Sequence, residues 1–138
     1  MKIETANQMS VQELCDFAVE RIVVQGERSG FLTVMNLFVC TYGKKGANAH
    51  CGIGWMLDPD NPELMGFPRG LLKLLSKFPD QVPQGIKENI PLFMEFQKFH
   101  DVAWSAKRAQ ILLVLHLNYG LNTDNPAYQQ WVDMGKAA

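Results

Sequence analysis

The sequence lacks the features that define several large classes of protein. Its 138 residues include 13 Lys or Arg and 14 Asp or Glu, so a net charge of −1 gives no overall attraction to nucleic acid. No apolar run reaches the ~18 residues that a membrane-spanning helix needs. Residues 1–5 lack the apolar core of a signal peptide. These absences predict a soluble, cytoplasmic protein that binds neither nucleic acid nor a membrane.

Cysteines and cofactor motifs are also scarce. The chain has three cysteines, an odd number, and in the cytoplasm we expect them to stay reduced. The run Gly52-Ile53-Gly54 lacks the third glycine of a dinucleotide-binding motif. The acidic loop at 58–62 lacks the glycine that a calcium-binding loop requires. We therefore expect no cofactor and no metal.

The length and the apolar content predict one domain. Globular domains cluster around roughly 100–150 residues. Apolar residues make up 47% of the chain and charged residues 20%, which is typical of a folded protein. We predict a single domain over residues 1–138, with its core within about 10–134.

Apolar spacing and capping residues predict a mostly helical fold. Ser10 and Glu13 form a capping box for a first helix that Gly26 ends. Further helices are predicted near residues 71–78, 91–100, 105–117 and 126–132, with Asp101 or Ser105 beginning the third of these. Because residues 111–117 are apolar almost all round, that helix is expected to be central, with His116 buried in the core.

One short β-hairpin is predicted beside these helices. Periodicity does not separate strand from helix over residues 31–42, but β-branched and aromatic residues favour a strand. A polar turn at 43–48 then leads into the glycine-containing run at 50–55. We predict that residues 39–42 pair with residues 50–55. The predicted fold class is therefore mostly α (α+β), a compact helical domain with one hairpin.

The cysteines and histidines allow three interpretations. Cys15 lies on the apolar face of the first helix and is predicted to be a core residue. A zinc site would need Cys40 and Cys51 together with residues from a small set, namely His50, His100 and Asp101. A nucleophilic enzyme, a hydrolase or transferase, would use Cys51 with His100 as base and Asp101 or Asn118 as orienter. In the third interpretation, the same residues only brace the hairpin.

Basic and aromatic residues supply the candidate binding groups. Arg69, Lys73 and Lys77 recur at four-residue spacing, and Arg28, Lys107 and Arg108 can extend this stripe. The stripe is either a solvated helix face or a pocket for a small anionic ligand. If the protein instead binds another protein, the candidate anchors are aromatic residues and one arginine: Trp55, Arg69, Trp104 and Tyr128.

Three segments in order resemble a family of small uncharacterised proteins from phages and prophage regions. They are Gln25-Gly26-Glu27-Arg28-Ser29; Cys40-Thr41-Tyr42 followed after a turn by Cys51-Gly52-Ile53-Gly54-Trp55-Met56-Leu57-Asp58; and Leu92-Phe93-Met94-Glu95-Phe96-Gln97-Lys98-Phe99-His100-Asp101. The resemblance spans roughly residues 10–121. The chain departs from the family pattern at Gly43, where relatives carry an arginine, and at Gly52, where they carry an alanine.

The resemblance implies a phage context and no established activity. With no catalytic signature in the sequence, we expect a phage-type accessory binding protein rather than an enzyme. Its concrete form would be an inhibitor of a host defence system that binds a host protein or sequesters a small ligand. A cysteine-dependent enzyme using Cys51 and His100 is the alternative.

Overall fold

The computed structural model describes residues 1–26, 30–32, 38–40, 52–65, 67, 70–98 and 102–137. Seven α-helices and two strands lie in this part of the chain: α1 (Ile3–Ala6), α2 (Val11–Gln25), β1 (Gly30–Leu32), β2 (Phe38–Cys40), α3 (Leu71–Lys77), α4 (Gln84–Lys87), α5 (Ile90–Gln97), α6 (Ser105–Tyr119) and α7 (Pro126–Asp133). Two short 3₁₀ segments, Gly54–Met56 and Pro79–Gln81, complete it. The prediction of a mostly helical fold is confirmed. None of the described helices has both the length and the apolarity to cross a membrane.

The first long helix begins and ends as its sequence predicts. The Ser10 hydroxyl accepts a hydrogen bond from the Glu13 backbone N–H, while the Glu13 carboxylate accepts one from the Ser10 N–H. Gly26 ends α2 with φ of 70°, a left-handed conformation that glycine adopts without strain. The buried face of α2 consists of apolar residues at three- and four-residue spacing: Leu14, Cys15, Ala18, Val19 and Ile22. This face forms one wall of the core.

The predicted hairpin between residues 39–42 and 50–55 is not seen in the described part of the chain, and residues 41, 42, 50 and 51 lie outside that part. The strand Phe38–Cys40 pairs instead with Gly30–Leu32, antiparallel, with Phe31 opposite Val39. The second predicted strand overlaps the 3₁₀ segment Gly54–Met56, which packs on α2. Gly52 also lies against α5, since a Cβ there would come 2.9 Å from the Phe96 ring. Residues 52–54 are all buried, so this segment does not show the alternating burial of a strand with one exposed face.

The prediction that α6 is a central helix is also wrong. Only Ile111 and Leu115 of this helix are buried, and they contact the core from one side. His116 was predicted to be a core residue and is exposed. The helix begins at Ser105 with Trp104 as its N-cap, so Asp101 is not the cap. Helix α6 is thus a surface helix, packed between α5 and α7.

A row of polar side chains on α2 fastens the C-terminal segment to the core. Gln12, Asp16 and Glu20 follow one another at four-residue spacing and reach three different residues beyond α6. Gln12 exchanges two hydrogen bonds with the backbone of Asn122, at 2.7 and 2.9 Å. The hydroxyl of the fully buried Tyr128 donates to Asp16 at 2.8 Å. Glu20 accepts from the Asn125 side chain.

We predict that Tyr128→Phe lowers the free energy of unfolding by about 1–2 kcal/mol, because Asp16 loses a buried hydrogen-bond donor. Urea denaturation measures this loss. The matched control is Tyr119→Phe, at a tyrosine that is 39% exposed, where we expect almost no change. Equal stability of the two variants would contradict a stabilising role for the Tyr128 hydroxyl.

Burial also predicts how stability depends on alkaline pH. Desolvation raises the pKa of the Tyr128 hydroxyl and of the Cys15 thiol far above their usual values. The folded protein therefore favours the neutral form of both groups. Their contribution to the free energy of unfolding is complete below the unfolded-state pKa values, about 8.5 for cysteine and 10 for tyrosine, and is lost as pH rises beyond these values. We expect stability to fall above about pH 9. In Tyr128→Phe, the slope above pH 10 should be shallower by about 1.4 kcal/mol per pH unit.

Candidate functional site

The residues predicted to bind a partner do not form one exposed patch. Tyr128 is completely buried, so the prediction that it is an exposed anchor is wrong. Trp55 is half-buried, and its ring N–H donates to Gln25 at 2.8 Å. Trp104 is 42% exposed and lies at the start of α6. Arg69 lies outside the described residues.

The catalytic and zinc hypotheses depend on residues that lie outside the described part of the chain. These are Cys51, His50, His100 and Asp101, together with the side chain of Cys40. Among the residues that the structure does describe, no three His, Cys, Asp or Glu side chains are grouped closely enough to hold a metal ion. Cys15 is buried in the core, as predicted, and burial raises the pKa of its thiol. A buried thiol of this kind is inert as a nucleophile.

Part of the predicted basic stripe lies within the described residues, while Arg28 and Arg69 lie outside them. Lys73 and Lys77 are both exposed on α3, and the Lys77 ammonium lies over the rings of Phe67 and Phe78, at 5.8 and 5.6 Å from their centroids. Arg108 does not extend the stripe. Its guanidinium turns inward and donates to the backbone carbonyls of Val102 and Trp131, at 3.0 and 2.6 Å.

Helix α6 presents an uncharged face to the solvent. Six exposed positions recur at three- and four-residue spacing and lie opposite the buried Ile111 and Leu115; we call them the outer face, and they are Ala106, Ala109, Gln110, Leu113, His116 and Leu117. Leu113 is 57% exposed and Leu117 is 67% exposed. Surface helices ordinarily place charged and polar side chains on this side. The outer face therefore carries two large exposed leucines at i and i+4 with no charge between them.

Shallow clefts run along both sides of the outer face. The cleft toward α7, of about 220 Å³, has an apolar floor that includes Leu112 and Val132, with Thr123 and Gln129 beside them. The cleft toward α5, of about 360 Å³, is lined by Ile111 and Val114 among others. Small-molecule pockets usually enclose roughly 300–1,000 Å³. The cleft toward α7 is thus smaller than this range, and the cleft toward α5 lies near its lower end.

Charge lies only at the margins of the outer face. Lys107 is exposed beside the cleft toward α5, and no ion pair to it is formed within the described part of the chain. Lys98 borders the same cleft but is paired with Glu95 at 2.8 Å. Among the described residues, Lys107 is therefore the positive charge at this margin that has no ion pair.

His116 has one ring nitrogen fixed by the fold. Its Nδ1 lies 2.9 Å from the carbonyl oxygen of Leu121, just beyond the end of α6. A carbonyl only accepts hydrogen bonds, so in the neutral ring Nδ1 carries the proton. Nε2 is then left as an acceptor on the outer face.

Sequence reasoning missed the outer face although its signal was present. The apolar run at 111–117 was interpreted as complete burial. An apolar run of this kind also occurs in a helix that packs one side on the core and leaves apolar residues exposed on the other side. Distinguishing these cases requires knowing what covers the helix.

In comparisons with known proteins, the chain matches no family model, no curated protein and no solved structure. The resemblance to small phage and prophage proteins therefore stays a prediction.

We predict that the exposed leucines contribute nothing to folding. Leu113→Gln and Leu117→Gln should each change the free energy of unfolding by less than about 0.5 kcal/mol, since both side chains are mostly exposed. The control is Leu115→Ala at a fully buried position of the same helix, where we expect a loss of about 2–5 kcal/mol. Chemical denaturation of the three variants tests this. Strong destabilisation by either glutamine would show that the outer face belongs to the core.

Proposed function

We propose that the chain is a binding protein that docks a helix of a partner protein on the outer face of α6. The observation that carries the proposal is the pair of exposed leucines, Leu113 and Leu117, on a helix face without charge. An amphipathic helix buries its apolar stripe in a groove through anchors at three- and four-residue spacing. The outer face of α6, with a cleft on either side of it, has a shape that such a helix can pack against.

The positive charge beside the outer face indicates what kind of partner helix would fit. Lys107 is the charged group beside the cleft toward α5 that lacks an ion pair in the described structure. A partner helix with an acidic residue flanking its apolar stripe would pair with it. Such a rim charge contributes to orientation and association rate more than to affinity. The leucines would supply the affinity.

The biological role we propose is that of a phage accessory protein that inhibits a host defence complex by occupying one of its subunits. Support for this role comes from the ordered motifs that resemble phage and prophage proteins, and from the contact surface on α6. Both are compatible with a small protein that acts by occupying another protein.

The proposal predicts which substitution abolishes partner binding. Leu113→Asp places a charge in the middle of the outer face, and we expect the affinity for the partner to fall by at least about 30-fold, the loss typical of an interface hot spot. The matched control is Leu72→Asp at an exposed leucine of α3, which is 58% exposed and should leave binding intact.

The experiment uses the full chain as bait in a bacterial host lysate. A bound protein counts only if it is identified, purified and shown by calorimetry to bind the wild type and Leu72→Asp but not Leu113→Asp. A partner bound equally well by Leu113→Asp would overturn the assignment of the site. Circular dichroism of each variant confirms that it is folded.

A further inference from the structure

The cleft between α5 and α6 has an apolar wall with a few polar groups at its margin. Its volume is about 360 Å³, and the apolar wall consists of Val102, Ile111 and Val114. Lys107 and Gln110 lie on the same side of α6 at a spacing of one turn, so they border this wall. An apolar lining with few polar groups that fix orientation is the usual composition of a small-molecule site.

The charges that line this cleft do not cancel. On the α5 side, the Lys98 ammonium lies 2.8 Å from the carboxylate of Glu95, a side chain that is only 14% exposed. On the α6 side, Lys107 is exposed and has no ion pair within the described part of the chain. Two lysines and one glutamate therefore leave the lining with one net positive charge. This balance favours a ligand that carries a single negative charge.

Gln110 provides a second group that can hold an anion. Its side-chain amide is exposed and makes no hydrogen bond to any described residue. A carboxylate has two oxygens, so one can accept from the Lys107 ammonium while the other accepts from the Gln110 amide N–H. A dianion fits this margin less well, because its second charge would be repelled by the Glu95 carboxylate.

We infer that this cleft binds an apolar monocarboxylate, such as a medium-chain alkanoate. Its carboxylate lies on Lys107 and Gln110, and its hydrocarbon body covers the apolar wall. The hydrocarbon supplies most of the binding free energy because its burial removes apolar surface from water, and the exposed ion pair adds a smaller contribution. The inference goes beyond the proposed function, since it concerns a small ligand and a cleft that Leu113 does not line.

An NMR titration of the full, isotope-labelled chain with sodium octanoate tests this site. We expect saturable chemical-shift changes at the Gln110 side-chain amide and at the backbone amides of residues 107–114. The dissociation constant should lie in the millimolar range, as is typical of a ligand with so few atoms. Sodium butyrate covers less of the apolar wall and should bind at least about 10-fold more weakly.

A charge variant tests the contact with the carboxylate. Lys107→Met keeps the apolar stem of the side chain and removes its charge, so octanoate should bind about 3–5-fold more weakly, as expected for an ion pair at an exposed margin. Octanamide, a neutral ligand of the same length, should bind the wild type and Lys107→Met equally. The matched control is Lys73→Met at an exposed lysine of α3, which should leave octanoate binding unchanged.

A filling variant tests the location of the site. Val114→Phe occupies the cleft and should abolish the saturable shifts, whereas Leu113→Gln changes a residue that lines the other cleft and should leave them intact. Circular dichroism shows whether each variant is folded. If Val114→Phe does not fold, the comparison of octanoate with octanamide on Lys107→Met still decides the outcome, because Lys107 is exposed.

Three results would overturn the inference: no saturable shifts with octanoate, shifts confined to residues away from α5 and α6, or equal binding of octanoate and octanamide by the wild type. None of these measurements involves a partner protein, so their failure leaves the proposed function intact. If octanoate binds as expected and no partner protein is found, the ligand site stands and the proposed function falls.

Discussion

The polar row on α2 is the constraint on which the C-terminal half of the described structure depends. Gln12, Asp16 and Glu20 hold Asn122, Tyr128 and Asn125, and thereby set the position of α7 on the core. Helix α6 then has α7 on one side and α5 on the other. These contacts join residues that are more than 100 positions apart in the sequence. They therefore fix the position of the loop after α6 as well as that of α7.

The position of α7 determines which side of α6 is exposed. Arg108 ties α6 to α7 through the Trp131 carbonyl, and its guanidinium also lies 4.8 Å from the centre of the Trp131 ring. Ile111 and Leu115 point to the core as a result, while Leu113 and Leu117 point outward. The uncharged outer face is thus a consequence of how the helix is held, and not of its composition alone.

A contact surface of this kind is consistent with a small binding protein. Exposed leucines on a rigid helix lose little conformational freedom when they are covered, so a modest area can give useful affinity.

Local sequence determined the elements whose signals are complete within a few residues. The capping box at Ser10 and Glu13, the helix end at Gly26 and the beginning of the last helix at Pro126 all lie where the sequence predicts, because each depends on hydrogen bonds or backbone angles close in the chain. Tertiary structure alone decided the burial of Tyr128, the exposure of His116 and Leu117, and the coiling of residues 52–56. These outcomes depend on which distant surface covers each residue, and apolar residues alone do not specify which surface that is.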